Sequence, residues 1–295
     1  MQQFVILSID GGGIRGVFAA RLLELLRASS KLPAFNLIAG TSTGSIIASC
    51  MALKIDPSII VSLYQASGSI IFSKKFFFGP RLLEKAVQSS YDNGRLKAVL
   101  RQVFGKKRLH DVKLPLLIPT TDLKAGSGHL FSSFANDNPY LYEAILASCS
   151  APTYFDPTVV DGKLLADGGM WGNNPILSAI AIARDHFKVP FDKIKVISLG
   201  SGHFSGFYDD ENKRWGLING WKIRTLTEFL ASLQSEATNQ IAKKLLNPNQ
   251  LLRLNFKSDN LISPDEFDKT DELIQFADEL YITEKIRIDN FLNPL

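Results

Sequence analysis

The first 53 residues contain the same succession twice: a short apolar segment, a glycine-rich turn and a helix. Residues 4–9 are apolar except for Ser8, and Asp10 and three glycines follow them. The apolar residues of 17–27 then share one face of a predicted helix. Residues 35–53 repeat this succession. A nearly uninterrupted apolar segment is typical of a strand covered on both faces, and strands that alternate with helices favour a parallel sheet. We therefore expect an α/β fold.

The rest of the chain continues this alternation. A helical insertion is predicted after the second helix, with helical patterns at 58–66, 81–88 and 95–104. Strands predicted at 114–121 and 129–134 flank a turn that contains glycine, and we expect them to pair as a hairpin. Further strands are predicted at 163–166, 194–199 and 251–256, and further helices at 140–148, 175–187, 226–246 and 271–281.

The composition fits an ordinary globular protein, with 45 % hydrophobic and 21 % charged residues. No repeat, low-complexity tract or Gly/Ser linker interrupts the sequence, so we expect one domain over residues 1–295. The net charge of +4 is too small to imply nucleic acid as a partner. Cys50 and Cys149 lie in apolar helical segments, which favours reduced thiols over a disulfide.

The N-terminal residues show no pattern of an export signal. The longest apolar run, residues 46–53, is well short of the roughly 20 residues that cross a bilayer. We therefore expect a cytoplasmic protein whose contact with membranes is peripheral.

The most specific chemical signal is the sequence GTSTG at residues 40–44, which matches the pattern G-x-S-x-G. It lies between a predicted strand at 35–39 and a predicted helix at 45–53. This is the context of a nucleophile elbow, in which small residues allow a strained turn that lifts a serine hydroxyl out of the sheet at a helix N-terminus. Ser42 is therefore the candidate nucleophile.

A second glycine-rich turn follows the first strand, with Gly11, Gly13 and Gly16 in a G-x-G-x-x-G pattern. A dinucleotide-binding site needs an acidic residue about 20 positions later, and residues 31–35 contain none. The Gly-Lys-Ser/Thr sequence of a P-loop is also absent. Successive glycine N–H groups at a helix start can instead hold an oxyanion, with positive charge from Arg15 nearby.

A third turn, the sequence DGG at residues 167–169, ends another short predicted strand. The carboxylate of Asp167 would lie at the sheet edge where Ser42 emerges, and it could act as a general base if burial raises its pKa. A Ser-Asp-His triad with His186 or His203 is an alternative. His186 lies inside a predicted helix, however, and His203 only follows a turn.

In this order, the three turns resemble the motifs of the patatin-like phospholipase family, and the resemblance extends over roughly residues 4–282. It implies a three-layer α/β/α sandwich with a mainly parallel sheet. It also implies a Ser-Asp dyad that needs no catalytic histidine, metal or cofactor. The glycines that carry the resemblance include Gly16, Gly40, Gly44, Gly168 and Gly169. The sequence departs from the family at Asn36, where many relatives have an acidic residue, and at Gly169, where others have alanine.

By this resemblance, Ser42 is the nucleophile and Asp167 the general base. The implied oxyanion site consists of the backbone of Gly11, Gly12 and Gly13 together with Arg15. The implied activity is that of a lipid acyl hydrolase or phospholipase A, acting through an acyl-enzyme on phospholipids or other acyl-lipids. An acyltransferase and a storage or scaffold protein without turnover are the alternatives. The expected partners are the lipid substrate, a membrane surface and a small-molecule or protein activator, without nucleic acid.

In the helical insertion, Lys74 and Lys75 precede three consecutive phenylalanines, Phe76, Phe77 and Phe78. An exposed segment of this composition could insert its rings into lipid while the lysines meet anionic head groups. The alternative is a loop whose phenylalanines pack into the core.

Overall fold

The structure, a computed structural model, describes residues 3–72, 89–208, 215–216 and 220–293. The strands are β1 Phe4–Ile9, β2 Leu37–Gly40, β3 Leu116–Asp122, β4 Ser127–Ser132, β5 Thr158–Val160, β6 Lys163–Asp167, β7 Ile194–Leu199, β8 His203–Phe204, β9 Leu251–Leu254 and β10 Lys257–Ser258. The helices are α1 Gly16–Ala28, α2 Thr43–Ala52, α3 Pro57–Ile71, α4 Asn93–Phe104, α5 Leu141–Ser148, α6 Gly169–Gly172, α7 Ile176–Asp185, α8 Ile223–Leu245, α9 Thr270–Thr283 and α10 Lys285–Leu292.

One sheet contains all of these strands except β8 and β10, which pair with each other. Its order is β5-β6-β3-β2-β1-β7-β9, and β4 forms an antiparallel hairpin with β3. The pairs β1–β2, β1–β7, β2–β3 and β7–β9 are parallel, whereas β6 is antiparallel to both of its neighbours. The predicted α/β class with a mainly parallel sheet is therefore confirmed, and so is the predicted hairpin.

Helices cover both faces of the sheet, and alternate side chains of the central strands show this. In β1, Ile6 belongs to one apolar core, while Leu7 and Ile9 belong to the other. Residues of α1, α2, α3 and α9 pack on the Leu7 face, and residues of α7 and of the end of α8 pack on the Ile6 face. The apolar sequence of β1 follows from this burial, and the layers form the predicted α/β/α sandwich.

Strand β3 holds β2 and β6 on the same edge. A strand has two hydrogen-bonding edges, and β4 covers one of them from Leu117 to Asp122, so β2 and β6 share the other. In the parallel β2, Ala39 pairs with Leu117, and in the antiparallel β6, Asp167 pairs with Thr120. Leu117 and Thr120 are three residues apart on β3, which corresponds to a distance of about 10 Å along the strand. The carboxyl ends of β2 and β6 therefore approach each other along this edge.

Some predicted boundaries are wrong by two residues. β2 begins at Leu37 instead of residue 35, because the Asn36 side-chain Oδ1 accepts the hydrogen bond from Val5 N at 2.8 Å in place of a backbone carbonyl. The helix after it begins at Thr43 instead of residue 45, because the elbow turn is shorter than predicted.

Five described elements, β5, β8, β10, α6 and α10, were not predicted, and other predictions lie outside the described residues. The strand β5 has three residues and the helix α10 has eight, and segments this short have little periodic signal. The helical pattern predicted at 81–88 falls on residues that the structure does not describe. The expectation of one domain over residues 1–295 stays a prediction.

A buried ion pair joins the carboxyl ends of β1 and β9. Both guanidinium Nη atoms of Arg253 donate to the Asp10 carboxylate, at 2.8 and 2.6 Å. Ser235 Oγ on α8 donates to the same carboxylate at 2.5 Å, and Arg253 also donates to Ser198 Oγ at 2.8 Å. The side chains of Asp10 and Arg253 are 2 % and 9 % exposed. The pair is therefore fixed at the base of the glycine-rich turn that follows β1.

We expect Arg253→Met to lower the free energy of unfolding by about 3–5 kcal/mol, because it leaves the Asp10 carboxylate buried without its counter-charge. Urea denaturation followed by circular dichroism measures this. The matched control is Arg27→Met, which removes the exposed Arg27–Asp56 ion pair and should cost less than about 1 kcal/mol. Equal losses in the two variants would contradict the structural role of the buried pair.

Candidate active site

Ser42 lies at the sharp turn between β2 and α2. Its backbone φ is 53° and its ψ is −125°, a strained conformation for which a non-glycine residue pays on the order of 1–3 kcal/mol. Gly40 and Gly44 allow this turn, since a Cβ on Gly40 would overlap the Gly44 carbonyl and a Cβ on Gly44 would overlap the Ile9 carbonyl. A strained serine between two closely packed glycines is the geometry that a nucleophile elbow requires.

Asp167, the last residue of β6, meets Ser42 at the shared edge of β3. Ser42 Oγ donates a hydrogen bond to Asp167 Oδ2 at 2.7 Å, and Gly169 N donates to Asp167 Oδ1 at 2.6 Å. The backbone of Asp167 is held as well, because its N–H donates to Ser150 O and its carbonyl accepts from Thr121 Oγ1. Each carboxylate oxygen therefore has one donor and a fixed direction.

The protonation of Asp167 is set by its burial. Burial raises the pKa of this carboxyl from 3.8 to about 6, and the hydrogen bonds from Ser42 and from the Gly169 N–H oppose the shift. The carboxyl is 5 % exposed. At neutral pH it is mostly ionised and still basic enough to accept a proton, which is the range that suits a general base.

The C-terminal end of α5 and the residue after it support Ser42 from the other side. Ser148 Oγ accepts a hydrogen bond from Ser42 N at 2.9 Å and donates to Pro119 O of β3 at 2.7 Å. The thiol of Cys149 lies beside Ser42 and Ser45, and burial raises its pKa, so it stays a neutral thiol at neutral pH. The elbow is therefore tied to the same strand that positions Asp167.

The glycine-rich turn after β1 divides into two parts. Gly12 and Gly13 line the cavity in front of Ser42, and in the described part of the chain their N–H groups have no acceptor. The N–H of Gly11 donates instead to Asn173 O at 3.0 Å. The amide of Gly11, which was expected at the oxyanion site, is therefore already used, whereas those of Gly12 and Gly13 are not used by any described residue.

Arg15 was also expected at the oxyanion site, but its guanidinium is engaged by carbonyl groups. Its Nε donates to Gly12 O at 3.1 Å and its Nη1 to Ile262 O at 3.2 Å. Burial lowers the pKa of Arg15, and the charge of Glu228 opposes this effect. Arg15 therefore fixes the loop through the Gly12 carbonyl. The Gly13 N–H belongs to the same peptide group and is trans to this carbonyl, so it points away from the guanidinium.

Glu228 on α8 is a buried carboxyl that sequence reasoning missed. Tyr154 Oη donates to Glu228 Oε1 at 2.7 Å, while Oε2 is buried and has no hydrogen-bond partner in the described structure. Burial is the main reason that the pKa of Glu228 is raised, and the charge of Arg15 opposes the shift. No local motif marks Glu228, because its role depends on how α8 crosses the loop after β1.

An open cavity of about 390 Å³ lies over the hydrogen-bonded pair Ser42 and Asp167. Ser42 and Asp167 line it together with Gly12 and Gly13. The other lining residues are mostly apolar, and they include Ile14, Ile46, Ile71, Phe72, Leu96 and Phe155. The cavity thus brings an apolar chamber to within reach of a paired serine and carboxylate.

The four histidines have other partners, so the structure shows no triad. His110 contacts Ala135 O, and His129 lies 3.1 Å from the Asp137 carboxylate. The ring of His186 stacks on Phe134 at 4.5 Å. His203 is an exposed residue of β8 and pairs with β10. The triad alternative with His186 or His203 is therefore not supported, whereas the Ser-Asp pair is in hydrogen-bond contact.

The segment proposed for membrane contact, with Lys74, Lys75, Phe76, Phe77 and Phe78, lies outside the described residues. Among the helices that are described, none combines the length and apolar character needed to cross a bilayer.

The family model for patatin-like phospholipase matches residues 7–180. This range contains the second half of β1, the elbow, the glycine-rich turn and Asp167. The chain belongs to the patatin-like phospholipase family.

Two curated relatives show the extent of the similarity. A cGAMP-activated phospholipase of Pseudomonas aeruginosa is 30 % identical over 206 residues, which are 66 % of this chain and 62 % of that protein. Patatin-like protein 1 of Oryza sativa subsp. indica is 30 % identical over 263 residues, which are 74 % of this chain and 64 % of that protein. The chain therefore spans less than two thirds of the length of either relative.

Among solved structures, VipD from Legionella pneumophila has a TM-score of 0.47 at 12 % identity, with 95 % of this chain and 67 % of that chain covered.

We expect Asp167→Asn to stabilise the protein at neutral and alkaline pH. The amide oxygen can still accept from Gly169 N–H, and the amide nitrogen can donate to Ser42 Oγ, which reverses that hydrogen bond. The substitution also removes a buried charge whose folded-state pKa is raised from 3.8 to about 6. Below about pH 4 the buried carboxyl of Asp167 is protonated and contributes to the stability of the folded wild type. As pH rises through about 6 the carboxyl ionises, and this contribution to stability is lost. The gain of the variant should therefore grow over this window to on the order of 3 kcal/mol at most.

Urea denaturation of both proteins between pH 4 and pH 8 measures the gain. The matched control is Asp192→Asn, which changes an exposed carboxyl. A difference between wild type and Asp167→Asn that does not change with pH would show that Asp167 is not perturbed by burial.

Proposed function

We propose that the protein is a lipid acyl hydrolase of the phospholipase A type, with Ser42 and Asp167 as its catalytic dyad. The observation that carries this proposal is the 2.7 Å hydrogen bond from the strained Ser42 to the buried Asp167 at the base of an apolar cavity. A serine hydroxyl becomes nucleophilic when a base within hydrogen-bond reach accepts its proton.

In the first half of the reaction, Ser42 Oγ attacks the ester carbonyl carbon of the lipid and Asp167 Oδ2 takes the hydroxyl proton. The tetrahedral intermediate then collapses, the bond to the lipid alcohol breaks, and Asp167 returns the proton to that alcohol. In the second half, water attacks the acyl-enzyme, Asp167 accepts a proton from this water, and Ser42 leaves as the hydroxyl with that proton. The products are a free fatty acid and a deacylated lipid.

The negative charge of the tetrahedral intermediate needs donors that are already in place. Gly12 and Gly13 line the cavity, and their N–H groups have no acceptor in the described structure. Arg15 holds the Gly12 carbonyl on the opposite side of the loop at 3.1 Å. We therefore assign the oxyanion site to the backbone of Gly12 and Gly13, with Arg15 as a positioning residue.

The apolar part of the cavity supports an acyl chain as the group that is bound. Ile46, Ile71, Leu96 and Phe155 line it, and burial of methylene groups gives about 0.8 kcal/mol each. The relative from Pseudomonas aeruginosa is a cGAMP-activated phospholipase. A need for an activator is thus part of the proposal, and cGAMP is the first compound to test.

We expect Ser42→Ala and Asp167→Asn each to lower the release of fatty acid from phospholipid vesicles by at least about a thousandfold, because each removes one member of a unit that acts together. Mass spectrometry of the lipid products, with and without cGAMP, measures this. The matched controls are Ser62→Ala and Asp192→Asn, which change exposed residues and should retain the wild-type rate.

Other outcomes of this assay separate the alternatives. Transfer of the acyl group to an added alcohol in preference to water would favour an acyltransferase. A wild-type protein that acts on neither vesicles nor a soluble acyl ester, even with cGAMP or cell extract, would refute the hydrolase assignment and favour a storage or scaffold protein.

We expect kcat/KM on a soluble acyl ester to fall at acid pH, with its half-maximal value near pH 6. The reason is that the pKa of Asp167 is about 6 and its protonated form cannot accept the proton of Ser42. A pH–rate profile measures this. If His203→Ala abolished activity or moved the acidic limb, the base would be a histidine and the dyad assignment would fail.

A further inference from the structure

Helix α8 has its polar and apolar faces reversed relative to a helix that packs on a sheet. Its buried residues are polar or small, namely Glu228, Ser235, Thr238, Asn239 and Ala242. Its exposed large apolar residues are Ile223, Leu230, Leu233, Ile241 and Leu245, each between 48 % and 55 % exposed. We call these five residues the α8 stripe. At 3.6 residues per turn they fall within about 120° of arc, along a helix of about 34 Å.

The inward polar residues of α8 explain why the apolar residues point outward. Ser235 Oγ donates to the buried carboxylate of Asp10, and Glu228 accepts from Tyr154 Oη while its charge faces Arg15. These contacts fix the rotation of the helix about its axis. The α8 stripe is therefore held toward solvent by the same contacts that support the glycine-rich turn of the site.

The α8 stripe is continuous with the mouth of the catalytic cavity. Leu230 belongs to both, because it lines the cavity and is also exposed. Met170 on α6 likewise lines the cavity and is exposed, and its neighbour Trp171 is exposed as well. Since α6 packs against α8, a lipid that leaves a surface in contact with the stripe would reach Ser42 along apolar side chains.

Aromatic rings lie at the N-terminal end of the α8 stripe. Trp215 and Trp221 are exposed, and their ring centroids are 5.2 Å apart, with Tyr208 5.7 and 5.4 Å from them. Tryptophan and tyrosine favour the interface between water and lipid, because each has an apolar ring and a polar group.

Basic residues flank the stripe at both ends. Lys222 precedes α8, and Lys243 and Lys244 lie in its last turn, all of them exposed. A helix with an apolar face, aromatic residues and lysines at its borders is typical of segments that lie in the plane of an anionic membrane surface.

We infer that α8 docks the protein on a bilayer that contains anionic phospholipid, with the α8 stripe inserted among the acyl chains and the cavity mouth turned to the lipid. This inference deepens the proposed function. It rests on that function only for what happens to the lipid after it is bound. The charge pattern argues against a second copy of the chain as occupant. Since both ends of α8 are basic, parallel and antiparallel pairing would each bring lysines together.

Flotation with vesicles of phosphatidylcholine and phosphatidylglycerol tests this docking. The protein carries Ser42→Ala, so that the vesicles are not consumed. Adding Leu233→Ser with Ile241→Ser should weaken partitioning at least about tenfold, because two half-exposed side chains lose their burial in lipid. Neither Leu233 nor Ile241 lines the cavity. The matched control is Ile282→Ser with Ile286→Ser, which changes residues 71 % and 78 % exposed elsewhere on the surface and should leave partitioning unchanged.

The role of charge is tested with Lys243→Gln and Lys244→Gln together. This variant should bind the anionic vesicles several-fold more weakly and show no change with phosphatidylcholine alone. Thermal melts verify that each variant is folded. Equal partitioning of the stripe variant and its parent would overturn the inference. Sedimentation velocity without lipid provides a second test. A dimeric parent and a monomeric stripe variant would also overturn the inference, because the α8 stripe would then join two copies of the chain.

A failure of docking and a failure of the proposed function give different results. In the wild-type background, Leu233→Ser with Ile241→Ser should keep its turnover of a soluble acyl ester and lose turnover of vesicle lipid. Vesicle binding that depends on the stripe, without any ester turnover, would retain the docking surface and refute the hydrolase. Ester turnover together with vesicle binding that does not depend on the α8 stripe would retain the hydrolase and refute the docking surface.

Discussion

The shared edge of β3 is the constraint on which the site depends. Because β4 occupies one edge, β2 and β6 must meet on the other, and their opposite directions bring their carboxyl ends together. Ser42 follows one of these ends and Asp167 is the last residue of the other, which gives the 2.7 Å hydrogen bond between them. Ser148 ties the serine backbone to the same strand. The contact between Ser42 and Asp167 is thus a consequence of strand order.

Buried charges hold the rest of the site in place. Arg253 anchors Asp10 at the base of the glycine-rich turn, and Arg15 fixes that turn through the Gly12 carbonyl. Glu228 supplies a negative charge near Arg15 from α8. Arg15 uses the Gly12 carbonyl, and the N–H groups of Gly12 and Gly13 have no acceptor in the described structure. The contacts of α8 with Asp10 and Tyr154 set the rotation of this helix, so the glycine-rich turn and the α8 stripe have a common structural cause.

Much of the fold and of the candidate site could be predicted from the sequence. The features that sequence reasoning missed share one physical reason. The strand Ile194–Leu199 is where it was predicted, because a continuous apolar segment has few alternatives. Gly11 was assigned to the oxyanion site, yet its amide donates to Asn173, which is distant in sequence. Glu228 was not considered at all, because nothing within a few residues of it marks a site. Contacts between distant segments carry no local pattern.

The sequence by itself determined the α/β class, the elbow and the three turns that carry the candidate chemistry, since apolar periodicity and glycine spacing act within a few residues. Only the tertiary structure decided that Asp167 and not a histidine meets Ser42, and which glycine amides stay free. It also decided that the leucines of α8 point to solvent. Amphipathic spacing shows that a helix has an apolar face, but the direction of that face depends on which side its polar residues find partners, here Asp10 and Tyr154.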